Sequence, residues 1–143
     1  MQMNFDDVFD GAVEGQAELE LRKAEVKVLG DKPALTISYV VVDSEPQGPQ
    51  GLSANGEFIN HVVWLPRDNE SHEDALKKKK MLKRFLTSHG VDTSATLSLE
   101  EVAEMLASNR VHIGANCAED EWKLREKGIV DTKIKSFFQL SSD

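Results

Sequence analysis

One cysteine, Cys117, in a chain of 143 residues excludes an intrachain disulfide and makes a cysteine-built zinc centre unexpected. A reducing cytoplasm is therefore the expected location. No apolar run approaches the ~20 residues needed to span a bilayer, so no membrane partner is expected. The opening MQMNFDDVFDGAVEG is acidic and lacks the basic start and apolar stretch of a secretory signal. There is no glycine-rich phosphate loop and no nucleophile elbow. His61, His72, His89 and His112 are scattered, with no carboxylate or cysteine at metal-ligand spacing. Glu25-Val26-Lys27 has the Glu-x-Lys spacing of one nuclease class, but on an amphipathic strand both charges face water. Neither catalysis nor a cofactor is expected.

What remains is the composition of one soluble domain, 40% hydrophobic and 29% charged, long enough to bury a core. Its formal net charge is -8, unevenly spread. Asp6, Asp7, Asp10, Glu14, Glu18 and Glu20 all precede the first basic residue, Arg22; without them the rest carries -2. Whole-chain charge weakens long-range attraction of DNA, yet a local basic groove would still bind it. Residues 1–15 read as an acidic N-terminal segment, either a frayed end or a docking or self-masking element, since Phe5, Val8 and Phe9 fit one side of a short helix. Residues 16–143 read as the folded domain.

Strand signals dominate that domain. AELELRKAEVKVLG (17–30) alternates with Leu19 and Leu21 on odd positions, then Ala24, Val26 and Val28 on even ones. A change of phase within a strand is what a β-bulge produces, and bulges bend strands. Gly30-Asp31 supplies a turn into PALTISYVVVD (33–43), rich in β-branched residues. The Gly-, Pro- and Ser-containing stretch 44–56 is a loop, and EFINHVVWLP (57–66) is a third strand, ended by Pro66. RVHIGANC (110–117) and TKIKSFFQL (132–140) close the chain as two further alternating strands.

Between them lie two helices. Ser71 with Asp74 caps the first, Gly90 ends it, and Ala75, Leu82, Phe85, Leu86 and His89 share a face. Its run Lys77-Lys78-Lys79-Lys80 sweeps about 300° at ~100° per residue, so the four cannot converge on one ligand. The run is either a solvated face or, with Lys83 and Arg84, a phosphate-contacting ridge. Ser98 and Glu101 cap a shorter helix whose Leu99, Val102 and Leu106 face inward.

Three strands, a helical insertion and two strands, the first one bent, is the order of the five-stranded OB barrel. The expected fold class is therefore mainly β with a helical insertion, an OB-like β-barrel. Its ligand groove crosses strands two and three, flanked here by the Gly30 turn and the charged segment 118–131. Single-stranded DNA needs cations for phosphate and flat rings for bases, each stack contributing about 1–3 kcal/mol. Arg22, Lys23, Lys32, Arg110, Lys133 and Lys135 are the candidate cations. Tyr39, Phe58, Trp64, Trp122 and Phe137 are the candidate rings, with a core role open for Tyr39, Phe58 and Trp64. In the pair Phe137-Phe138 one ring must face away from the interior; alternation assigns that place to Phe137, on the same row as Lys133 and Lys135.

The series AELELRKAEVKVLGDKPALTISYVVVD, NHVVWLP, KKKKMLKRFLTSHGV and TKIKSFFQL resembles phage-encoded single-stranded DNA-binding and recombination-mediator proteins with an OB-type fold. The resemblance spans most of 17–140. It departs from the family's pattern at Thr132 and Lys133, where an Asn is usual, and in FFQLSSD, which lacks a long acidic tail. It implies sequence-independent binding of single-stranded DNA in phage replication or recombination within the host cytoplasm. A recombinase, helicase or polymerase would be the protein partner, and homo-oligomerisation is left open. The alternative is a protein-interaction module, such as a phage adaptor or host-factor inhibitor.

Overall fold

The computed structural model describes residues 1–140; residues 141–143, the end of FFQLSSD, lie outside it. Its elements are β1 (Gly15–Leu29), β2 (Lys32–Ser44), β3 (Phe58–Trp64), α1 (His72–Ser88), α2 (Leu99–Asn109), β4 (His112–Glu119), α3 (Glu121–Lys127) and β5 (Thr132–Phe138). The protein is mainly β, with five antiparallel strands in the order β3-β2-β1-β4-β5. No helix among the described residues is long and apolar enough to cross a membrane.

The long first strand organises the rest. Its first half pairs on both sides, Gly15 to Glu20 running against Cys117 to His112 of β4 while also laddering with β2. Leu21 and Lys23 face the consecutive residues Tyr39 and Ser38, which makes Arg22 the extra residue of a bulge. That bulge accounts for the phase change in the sequence: Leu19 and Leu21 are fully buried before it, and Ala24 and Val26 pack against the core after it. Val28, expected inside, is exposed. Leu35, Ile37, Tyr39 and Val41 of β2, Ile59 and Val63 of β3, and Ile113, Ala115 and Cys117 of β4 complete the inner face.

The helices follow their caps. Ser71 accepts from the Asp74 backbone N–H at 3.2 Å, and Ser98 from that of Glu101 at 3.4 Å. Gly90, with φ of +81°, lies just past the end of α1, where a left-handed residue releases the chain. The segment 118–131, expected as a loop, contains α3, capped by Asp120 and ended by left-handed Gly128. Among the described residues α2 packs on β1, and α1 contacts β3 and β5.

Two expectations are corrected. A barrel closed all round by hydrogen bonds is not formed; the sheet is open, with β3 and β5 as its edges. These edges approach within 8 Å at Cα without pairing. The second correction concerns Phe137. Asn116 and Cys117 pair with Ser136 and Ile134, so Lys135 is an extra, bulged residue. The bulge reverses the phase of everything after it. Phe137 turns inward against the core, and Phe138 becomes the outward ring.

Phe138 packs over Gly114, the residue directly opposite it on β4, and a Cβ there would collide with the ring. We expect Gly114→Ala to cost about 1–3 kcal/mol, as overpacking does, and to cost almost nothing in a Phe138→Ala background. Urea denaturation of the four proteins in this cycle checks it; equal costs in both backgrounds would remove the ring contact as the cause.

Candidate functional site

Arg22, Lys23 and Arg110, three of the expected cations, lie beside carboxylates that offset most of their charge. Arg22 is paired with Glu20, and Arg110 reaches the same carboxylate at 3.6 Å. Lys23 and Lys27 share Glu25, at 3.8 and 3.3 Å. His112 sits between Glu18 and Glu20, both at 3.0 Å, and Glu18 above all holds its pKa higher than that of an ordinary histidine. Exposed pairs of this kind add little stability, but three carboxylates, Glu18, Glu20 and Glu25, offset most of the positive charge of Arg22, Lys23, Lys27 and Arg110. Tyr39 is not an accessible ring either: it is fully buried, its hydroxyl 2.8 Å from Nε2 of His89.

Cations without an acidic partner among the described residues gather elsewhere. They are Lys79, Lys80, Lys83 and Arg84 on α1 and Lys133 and Lys135 on β5, with Lys32 and Lys127 lying over the rings of Trp64 and Trp122. Both elements border the seam that the sheet leaves open. There a cleft of about 640 Å³ runs between β3, β5 and α1. Its walls include the rings of His61, Trp64, Phe85 and Phe137, and Arg84 and Lys135 stand exposed beside them.

Helical spacing selects which α1 residues reach it. Lys78, Met81, Arg84, Phe85 and Ser88 line the cleft, three or four positions apart, whereas Lys77, Lys79 and Lys80 do not. Of the lysine run only Lys78 faces the cleft, and Glu70 holds it at 2.7 Å. Lys77 pairs with Glu73 on the surface. The sequence candidates brought together here are Trp64, Lys135 and Phe137, with Lys32 over Trp64 at 5.8 Å. Phe58, 67% exposed, stands on the outward row of β3 with Val62 and Trp64. Trp122 is exposed on α3. Arg22, Lys23 and Arg110 belong to the carboxylate network instead. Sequence reasoning passed over His61 and Met81 and treated Phe85 only as core. The signal for them was the i, i+3, i+7 pattern of 78, 81 and 85, together with the parity of β3.

The cleft floor is neutral. His89 Nδ1–H donates to the Phe85 carbonyl at 2.8 Å, which leaves Nε2 to accept from the Tyr39 hydroxyl. Burial lowers the His89 pKa, partly offset by that carbonyl. Burial also pushes His61 down to about 4, with the neighbouring His89 charge adding to the effect. The thiol of buried Cys117 is pushed up to about 11, so it offers no thiolate. The arrangement offers charge and ring contacts, and none of these groups is an activated nucleophile.

Comparison with protein-family models and with curated proteins returns no match for this chain.

The two histidines make stability depend on acid. An unfolded histidine takes its proton near pH 6.5, while folded His61 takes it only near 4. Between those values the unfolded chain binds more protons, so stability is complete above about pH 6.5 and falls as pH drops toward about 4. His61→Phe keeps the ring and removes the proton site. Its urea midpoint should fall less than the wild-type midpoint between about pH 7 and pH 4.5; parallel declines would show that His61 does not set the slope.

Proposed function

We propose that the protein binds single-stranded DNA without sequence preference, by base stacking and phosphate neutralisation, on an OB-like fold whose sheet stays open between β3 and β5. The observation that carries this reading is the coincidence, at one seam, of unpaired cations with the exposed ring of Trp64 and an aromatic lining beneath it. Arg84 and Lys135 flank a cleft lined by Trp64, Phe85 and Phe137, while the basic residues of β1 are spent on carboxylates. Phosphates take the rim, on Lys135 of β5 and Arg84 of α1. Bases take Trp64 and, on the same row of β3, Phe58. A duplex already stacks its bases on one another, so these rings favour the single strand.

The OB-type assignment is part of the proposal. It is supported by the strand order, by a bent β1 shared between β2 and β4, and by helices inserted between β3 and β4. The resemblance of the sequence runs supports, as part of the same proposal, a role in phage replication or recombination, where a bound strand would be protected or passed to a recombinase, helicase or polymerase. One observation favours a protein-interaction module instead: β3 is a seven-residue edge strand without a charged side chain, and such edges recruit other strands.

Oligothymidine and a duplex of equal length separate these readings. Oligothymidine should quench tryptophan emission in Trp122→Phe but not in Trp64→Phe, and the duplex should do little in either. Arg84→Ala with Lys135→Ala should weaken binding at low salt by on the order of tenfold and reduce the slope of log K against log salt by about 1.4, at ~0.7 per lost contact. Arg22→Ala, already neutralised by Glu20, should leave the slope unchanged. Tight oligothymidine binding with no salt dependence, or none at all, would overturn the proposal.

A further inference from the structure

Among the charged groups without an ion-pair partner, two sets of opposite sign bear on the cleft. One is the rim of the cleft. The other is the front segment 1–10, whose Asp6, Asp7 and Asp10 have no basic partner among the described residues. The segment contains no basic side chain, and residues 1–8 are exposed. Its apolar side chains are exposed as well, Phe5 at 66% and Val8 at 53%. The Val8 N–H donates to the Phe5 carbonyl at 3.1 Å, a turn that brings Phe5 and Val8 close together with the two aspartates between them.

Its tether lies at the start of β5. Phe9 packs against the core, Val13 is buried, and the Val13 N–H donates to the Thr132 hydroxyl at 2.8 Å. Thr132 opens the strand that carries Lys133 and Lys135. From Thr132 to Ser136 is about 13 Å along an extended strand, at ~3.3 Å per residue. The eight residues from Val13 back to Phe5 span up to about 27 Å. With Phe9 released from its core contact, the segment is therefore long enough to reach the cleft of its own chain.

We infer that segment 1–10 closes over the cleft, Phe5 and Val8 entering its apolar lining and Asp6 and Asp7 meeting Lys135 and Arg84, and so competes with the nucleic acid. An acidic ligand with apolar side chains is what a cationic rim over an apolar floor selects, and this chain carries one within reach. The closure itself stands on the geometry alone; the competition rests on the proposed DNA binding. A cleft covered for 70–90% of the time, taken as an order of magnitude, presents an affinity lowered by roughly 3- to 10-fold. Segment and DNA exclude one another through the same two cations, so salt weakens both.

The test uses the full chain and two readouts. The double variant Phe5→Ala, Val8→Ala leaves every charge in place, so a gain in affinity cannot come from altered net charge. It should bind oligothymidine about 3- to 10-fold tighter at low salt, by anisotropy of a labelled oligomer. Unchanged affinity would overturn the inference. The second readout does not need DNA binding to exist. Asn4→Cys is labelled with a nitroxide, Cys117 being buried and unreactive, in a Trp122→Phe background. Trp64 emission should be quenched relative to the reduced label and recover at about 1 M salt, where screening acts within ~3 Å. No quenching would overturn the closure. Quenching that grows with protein concentration would place the segment in a second copy's cleft and overturn closure within one chain. Quenching that is present and independent of concentration, in a protein that fails to bind oligothymidine, would support the closure and sink only the DNA reading.

Discussion

Five rings meet where β3 and β5 fail to pair: Tyr39 from β2, His61 from β3, Phe85 and His89 from the end of α1, and Phe137 from β5. His61 and Phe137 meet edge to face across the seam at 5.4 Å, and Phe85 lies 4.1 Å from His89. Elsewhere the strands are joined by backbone ladders; here side chains do the joining. Such contacts are worth about 0.5–1.5 kcal/mol per pair beyond burial, and they hold only while both histidines stay neutral. The packing of α1 follows from the same cluster, since Phe85 and Leu86 are its only buried residues. The cleft is the unfilled outer part of this seam.

Because a ladder would have closed the seam, the open edge is what provides the site. Two strands 4.8 Å apart leave no room for a ligand between them. Two edges separated by rings leave a slot with an apolar floor, and the neighbouring helix and strand contribute cations that no carboxylate has claimed. The number of lysines decides little here. Arg22, Lys23 and Arg110 are cations like Arg84 and Lys135, but Glu20 and Glu25 lie within reach of the former.

Much of this was legible in the chain. The cap residues Ser71 and Ser98 marked both helices, and the jump from Leu21 to Ala24 marked the β1 bulge because apolar residues stood on both sides of it. The β5 bulge left no such mark. In Thr132-Lys133-Ile134-Lys135-Ser136-Phe137-Phe138 the extra residue is a lysine followed by a serine, both content in water, and the two adjacent phenylalanines satisfy either phase. One undetected insertion therefore exchanged the roles of Phe137 and Phe138. Neutralisation of Arg110 was illegible for another reason. Its partner Glu20 lies ninety residues away in sequence, at a place set only by the β1–β4 register. Asp120 and Gly128 did signal α3, in a segment whose density of charge had suggested a loop.

A protein of net charge -8 that binds a polyanion needs its negative groups to be out of range as much as its positive groups in range. At physiological salt that range is about 8 Å. The glutamates of β1 are fixed by sheet register to their own basic neighbours and so exert no net field on the seam. The aspartates of the front segment have no such fixed partner. Beyond a screening length they are invisible to the cleft, and within it they would, on the proposed reading, compete with an incoming phosphate. Whether the acidic front end matters thus reduces to position, which a tether at Thr132 and two exposed apolar side chains are suited to control.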